Sequence, residues 1–297
     1  MKTIRSLFNR EDTAGIMFTL PFTLGFLFFM IVPMGISLYY SFCKYNILSP
    51  PVFTGLDNFK NMIADGTFLQ TIKVTFFFAF VSVPLKLIFA LLVAMLLLKN
   101  TKMSGIYRAA YYLPSIIGGS VAVAILWKRM FAMDGVVNKL LGSIGIKTSI
   151  SWLGDTKTAI WILILLAVWQ FGSSMVMFLA ALKQVPRSLY EAAEIDGAGK
   201  VTRFFHITLP QISPIIFFNL INQTIQALQN FTSAQVITEG GPLKSTYVLG
   251  LKLYKEGFSY FKMGYASAIS WVVFAAIMIF TLAIFASSKL WVHYADE

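Results

Sequence analysis

Six long apolar runs dominate the chain: Ile16–Phe42, Thr71–Leu98, Ala110–Leu126, Ala159–Leu182, Ile207–Leu228 and Met263–Leu290. A helix needs about 20 residues to cross a hydrocarbon layer of about 30 Å. Inside that layer every backbone N–H and C=O must find its partner within the protein. Runs of this length therefore predict membrane-spanning helices. Of the 297 residues, 57% are hydrophobic and only 12% charged, which does not suit a water-soluble domain. The expected fold is all-α: a polytopic membrane protein with six transmembrane helices, forming a single domain over residues 1–297. Residues 1–13 form a short polar lead. The first run is too long for a signal-peptide core and has no small-residue cleavage site near its end, so it reads as a retained helix. No connecting loop is long enough to hold a second folded domain.

The net charge of +11 is scattered among loops, which favours lipid headgroups over nucleic acid as neighbours. Six spans put both termini on one side. Basic residues nearly balance between alternate loops, so their count does not fix the side. The loops on the N-terminal side are shorter and more densely basic, which favours a cytoplasmic N-terminus. The single cysteine, Cys43, excludes an intrachain disulfide and a Cys-based metal site, and His206 and His293 are far apart in sequence. No metal site and no catalytic residue is expected. An intramembrane enzyme would need His, Asp or Glu clustered within spans. A secondary transporter would need charged sites in several spans and inverted repeats. Away from the ends of the runs, where Lys73 and Lys289 stand, only Lys86, two residues after Pro84, puts a charge inside a span, and no role for it follows from the sequence.

Between the fourth and fifth runs lies the segment Glu191–Pro214, EAAEIDGAGKVTRFFHITLPQISP. Pro186 and Ser188 stand where a short helix would start. Ser188 and Glu191 have the spacing of a capping box. Ala192 and Ala193 keep the helix surface thin, and Gly197 suits the left-handed position that ends a helix. Gly197-Ala198-Gly199-Lys200 is not a phosphate loop. That motif needs G-x-x-x-x-G-K-[ST], but Glu194 stands five residues before Gly199 and Val201 follows Lys200. Any ATP-driven work must come from another protein. Glu191, Glu194 and Asp196 read either as a carboxylate cluster for acid–base work or as a charged helix face in water.

The fifth run carries Asn219, Asn222, Gln223, Gln226 and Asn230 at the spacing of one helical face. Polar groups in a bilayer are costly and usually face a bundle interior or a wet cavity. The stripe fits a pathway whose amides meet hydroxyl groups as donor and acceptor. It also fits interhelical hydrogen-bond glue, at about 1 kcal/mol per pair.

Glu191-Ala192-Ala193, Asp196-Gly197-Ala198, Phe204, Ile207, Leu209-Pro210 and Pro214 resemble the "EAA" loop of ABC-importer membrane subunits, most closely the sugar-importer branch that includes the maltose-transporter permeases. Further elements carry the same resemblance: Gly55-Leu56-Asp57-Asn58-Phe59; Arg108 with Leu113-Pro114; Gly135, Asn138 and Leu140-Leu141; and Thr238-Glu239-Gly240-Gly241-Pro242 with Thr246. The first and last of these point to the maltose-F type of permease. The resemblance implies a type I ABC importer permease fold, with both termini cytoplasmic and a coupling loop over residues 183–210. It implies docking of Glu191, Ala192, Ala193, Asp196 and Gly197 on an ATPase subunit, which binds the ATP and Mg²⁺ while this chain has no cofactor. It also implies a second, different permease and an extracytoplasmic sugar-binding protein as partners. Aligned through the motif, the family's sugar contacts fall on Gln223, Ala227 and Asn230 and on Trp169, Gln170 and Ser173; the amide stripe adds Gln226. Ala227 departs from the pattern, since its side chain cannot hydrogen-bond.

Overall fold

The computed structural model describes residues 11–98, 103–146 and 150–293. Residues 1–10 of the expected polar lead, and residues 99–102 between the second and third runs, lie outside them. Among the described residues, three helices are long and apolar enough to cross a bilayer unbroken: Gly15–Ser41, Gly66–Leu96 and Met263–Ser288. Three bent pairs pass the same test together, giving up to six spans if each pair is one: Ser104–Ile117 with Val121–Met130 (101°), Ala159–Trp169 with Gly172–Gln184 (43°), and Lys200–Gln211 with Ser213–Leu228 (67°). The sequence reading took each of these as one unbroken run. The first pair breaks at Gly118-Gly119-Ser120, where Ser120 Oγ accepts the Val123 N–H at 3.3 Å and starts a new helix. The third breaks at Ile212, between Pro210 and Pro214, neither of which has an N–H to continue a helical ladder.

The chain packs as two compact units. One comprises the residues up to Ala64 together with Leu253–Val272. In it α1 (Glu11–Phe26) passes through a wide turn at Leu27–Ile31 into α2 (Val32–Ser41). Phe18 and Phe29 are largely exposed on this helix, a surface suited to hydrocarbon and not to water. Strand β1 (Cys43–Lys44) then pairs antiparallel with β2 (Val52–Phe53). Gly55 turns the chain at φ +65° into α3 (Asp57–Ala64). Asn58 Nδ2 donates to the carbonyls of Ser41 and Cys43, both at 2.9 Å, and Phe59 packs on Phe42 at 5.5 Å between ring centres. The G-L-x-N-F element is thus a clamp on the end of the first span.

The second unit comprises Asp65–Lys252 and the chain from Val273 onward. Its axis is α4 (Gly66–Leu96), which buries Phe78, Ala79, Val83, Leu87, Ala90 and Ala94 on one face. Against it pack α8 (Ala159–Trp169), α9 (Gly172–Gln184) and α13 (Ser213–Leu228). Asp65 caps α4 by accepting the Thr67 N–H at 2.8 Å, and its other oxygen accepts from the buried Lys252 Nζ at 2.7 Å. The intervening elements are α5 (Ser104–Ile117), α6 (Val121–Met130) and α7 (Val136–Ser143). Asn138 gathers the loop after α7, donating to the Met133 and Ile150 carbonyls and accepting from Trp152 Nε1 at 2.8 Å. Helix α10 (Arg187–Ile195) is short, and α11 (Lys200–Arg203) continues through a wide turn into α12 (Leu209–Gln211). Helix α14 is Leu249–Tyr254 and α15 is Met263–Ser288.

Two of the helix breaks satisfy each other. Ser115 Oγ donates to the Gln170 carbonyl at 3.0 Å and accepts the Ser173 N–H at 2.9 Å. Gln170 Nε2 donates to the Gly118 carbonyl at 3.1 Å. Close approach is required: a Cβ on Gly172 would overlap the Tyr111 carbonyl oxygen. Gly172→Ala is therefore expected to destabilise the protein by about 1–3 kcal/mol through overpacking. Gly105→Ala, at a glycine with open space around it, should stay within about 0.5 kcal/mol of the parent. Thermal melting of the two variants in the same detergent checks this.

Candidate functional site

A cavity of about 230 Å³ opens between α4, the α5–α6 break, the α8–α9 break and the C-terminal end of α13. Phe78, Val83, Ala124, Leu163, Leu166 and Ala167 form its apolar walls. Its polar lining is Ser82 and Lys86 from α4, Ser120 from the first break, Gln170 from the second, and Gln223, Gln226, Gln229, Asn230, Thr232 and Ser233 from the end of α13 and the chain after it. No lining residue is acidic.

The amide stripe divides where the cavity begins. Asn219 Nδ2 donates to the Ile215 carbonyl and Asn222 Nδ2 to that of Phe218, each at 2.9 Å within their own helix, and neither lines the cavity. Gln223 is buried and donates to Ser174 Oγ at 3.3 Å. Asn230 is not on the helix: α13 ends at Leu228, and the side-chain oxygen of Asn230 accepts from Ser233 Oγ at 2.7 Å. The Asn230 Nδ2 is buried in the cavity lining without a hydrogen-bond partner. A buried donor left in that state is costly unless a ligand or water meets it.

Of the six pathway candidates, the structure brings Gln170, Gln223, Gln226 and Asn230 together around one space. Gln170 already gives its amide N–H to Gly118. Trp169 does not line the cavity; its ring packs on Trp127 at 5.5 Å. Ser173 also lies off it, its backbone held by Ser115. Sequence reasoning did not assign Ser82 and Lys86 to this space. Their spacing of four residues, which puts both on one face of α4, was the available signal.

The second feature is α10. The capping box expected of Ser188 and Glu191 does not form. Pro186 takes the N-cap position with φ −60° and ψ 129°, Ser188 falls inside the first turn, and no side chain caps the helix. The C-terminal expectation holds. Gly197 is at φ +75°, its N–H donates to the Glu194 carbonyl at 3.1 Å, and the Ala198 N–H donates to that of Ala193 at 2.8 Å. Those two bonds make a Schellman turn. Across the turn, Arg203 pairs with Glu194 at 3.0 Å, and Tyr190 and Thr208 share a hydroxyl bond of 2.9 Å. Glu191, Ala192, Asp196 and Gly197 are exposed and Ala193 half-buried. Ile195, 87% exposed, and Val201, 71% exposed, add an apolar surface beside the acids. No group of three or more His, Cys, Asp or Glu residues able to hold a metal occurs among the described residues.

Residues 61–296 match the family described as binding-protein-dependent transport system inner membrane component. The chain belongs to this family. It is 51% identical over 300 residues to the probable ABC transporter permease protein YesP of Bacillus subtilis (strain 168), covering 100% of this chain and 97% of that one. It is 36% identical over 244 residues to the lactose transport system permease protein LacF of Rhizobium radiobacter, covering 80% and 81%. A crystal structure of a bacterial ABC transporter involved in the import of the acidic polysaccharide alginate matches with a TM-score of 0.81 at 22% identity, covering 97% of this chain and 99% of that one. The fold is that of a type I ABC importer permease. The chain is a multi-pass membrane transport subunit and not an enzyme, and ATPase and binding-protein partners belong to its family's mode of action.

The positive φ at Gly197 gives a direct test of the α10 turn. Gly197→Val forces a β-branched side chain into the left-handed region, at about 1–3 kcal/mol. Gly199→Ala, with open space and ordinary backbone, is the control. In the reconstituted importer, Gly197→Val should largely abolish ATPase stimulation by loaded binding protein and Gly199→Ala should retain it.

Proposed function

We propose that the chain forms half of the translocation pathway for a sugar, oligosaccharide or related polyol. A second, different permease supplies the other half, and an extracytoplasmic sugar-binding protein delivers the cargo. ATP and Mg²⁺ are held by the ATPase subunits and not by this chain. Both termini are cytoplasmic, on the side where α10 docks. The observation that carries the reading is the amide-lined cavity with the unpartnered Asn230 Nδ2 in its lining. Amides offer both donor and acceptor, as a hydroxyl-rich cargo requires. The likeness to a lactose transport permease supports the same class.

Coupling follows from the chain of contacts. Glu191, Ala192, Ala193, Asp196 and Gly197 present the docking surface of α10. The Glu194–Arg203 pair and the Tyr190–Thr208 bond tie α10 to the segment leading into α13. The far end of α13 lines the cavity. Closure of the ATPases moves α10, and the bend between α12 and α13 passes that motion to Gln223, Gln226 and Asn230. The cavity then opens to one side of the membrane and closes to the other.

Gln223→Leu and Asn230→Leu should each weaken cargo passage by about 0.5–1.5 kcal/mol per lost hydrogen bond, with normal assembly. Complex yield and uptake of a labelled sugar panel are measured side by side. Reduced complex with normal uptake per complex would instead assign the amides to helix–helix packing.

A further inference from the structure

Lys86 stands on α4 at about 15 Å from the Leu96 end, taking about 1.5 Å per residue, so it lies near the middle of a hydrocarbon layer of about 30 Å. That depth is too great for its stem to carry the ammonium to the headgroups. It is 9% exposed, lines the cavity, and makes no ion pair or hydrogen bond with a described residue. A cation in that position is costly and marks a functional pathway or an absent partner. No acidic residue lines the cavity around it. Around the same space stand Ser82, Gln170, Gln223, Gln226 and Asn230, all neutral.

We infer that Lys86 is the anchor for one acidic group on the cargo, so that the pathway takes an anionic carbohydrate such as a uronate-bearing oligosaccharide. The inference rests on the carbohydrate reading above and narrows it. One ammonium matches one carboxylate in charge. A phosphate monoester carries about 1.5 to 2 negative charges at pH 7 and calls for more than one cation. Desolvated by the apolar walls, a charge-assisted hydrogen bond to the carboxylate is stronger than any neutral bond the amides make to hydroxyls. The amides then orient the sugar ring around the fixed acid. Lys86 thereby binds cargo directly.

The test uses the assembled importer in lipid nanodiscs, with equilibrium binding of labelled digalacturonate and of its carboxyl-reduced counterpart. The wild-type complex should prefer the acid by about tenfold or more. Lys86→Gln should erase that preference while leaving the complex yield unchanged, and Lys86→Arg should retain it. Equal affinities in the wild type, or a preference that survives Lys86→Gln, would overturn the inference. So would loss of the complex in Lys86→Gln with recovery in Lys86→Arg, which would make Lys86 the partner of an acid on the second permease. Binding of the neutral sugar alone would overturn this inference and leave the carbohydrate reading standing. Binding of neither sugar would overturn this inference, and the carbohydrate reading would then rest on uptake of the labelled sugar panel.

Discussion

Hydrogen bonds exchanged between two helix breaks hold the membrane unit in its working shape. A break in a span frees backbone groups that hydrocarbon cannot satisfy. Here the α5–α6 and α8–α9 breaks meet. Ser115 serves the Gln170 carbonyl and the Ser173 N–H, and the Gln170 side chain serves the Gly118 carbonyl. Gly172 permits the approach, because any larger residue would strike the Tyr111 carbonyl. The interruptions leave a space beside α4, and that space is the cavity. A polar hollow in an apolar protein thus follows from satisfied irregularity and not from loose packing.

The same economy runs through the segment around α10. The exposed Glu194–Arg203 pair contributes only about 0–1 kcal/mol, so it does not set the geometry by itself. The Schellman turn at Gly197 does, by fixing where α11 leaves α10. From there the chain runs through the Ile212 bend into α13 and reaches the cavity at Asn230. One continuous stretch therefore joins α10 to the polar lining, the route along which the proposed coupling would run.

Much of this was legible in the sequence, for reasons particular to each element. The apolar runs located the three unbroken spans and the three bent pairs, since bilayer thickness imposes a length that few other constraints imitate. Gly197 was legible because a left-handed helix end selects glycine. The breaks were not. Gly118-Gly119 and Gln170-Phe171 sit between strongly apolar neighbours, and hydropathy averaged over a span does not register one polar residue or a pair of glycines. Pro84 passes through α4 without ending it, so proline alone would have misplaced the breaks. The capping box failed because Pro186, with its fixed φ, already occupied the N-cap and pushed Ser188 into the helix. Periodicity put five amides on one face, yet α13 ends before Asn230, and only its last turn and the chain beyond reach the cavity. Trp169 fell on a family sugar contact by alignment, but its ring packs on Trp127 and does not line the cavity. Lys86 was visible as a charge in a span, but only packing reveals which space a side chain enters.

The central claim is that cargo crosses this chain through the cavity between the broken helices. A structure of the complete importer with cargo bound, at a resolution that shows side chains, tests it most directly. The account predicts cargo in that cavity, within hydrogen-bond distance of Gln223 and Asn230, with the Ser115–Gln170–Gly118 bonds intact. Cargo held elsewhere, with side chains of the second permease filling the cavity, would contradict it.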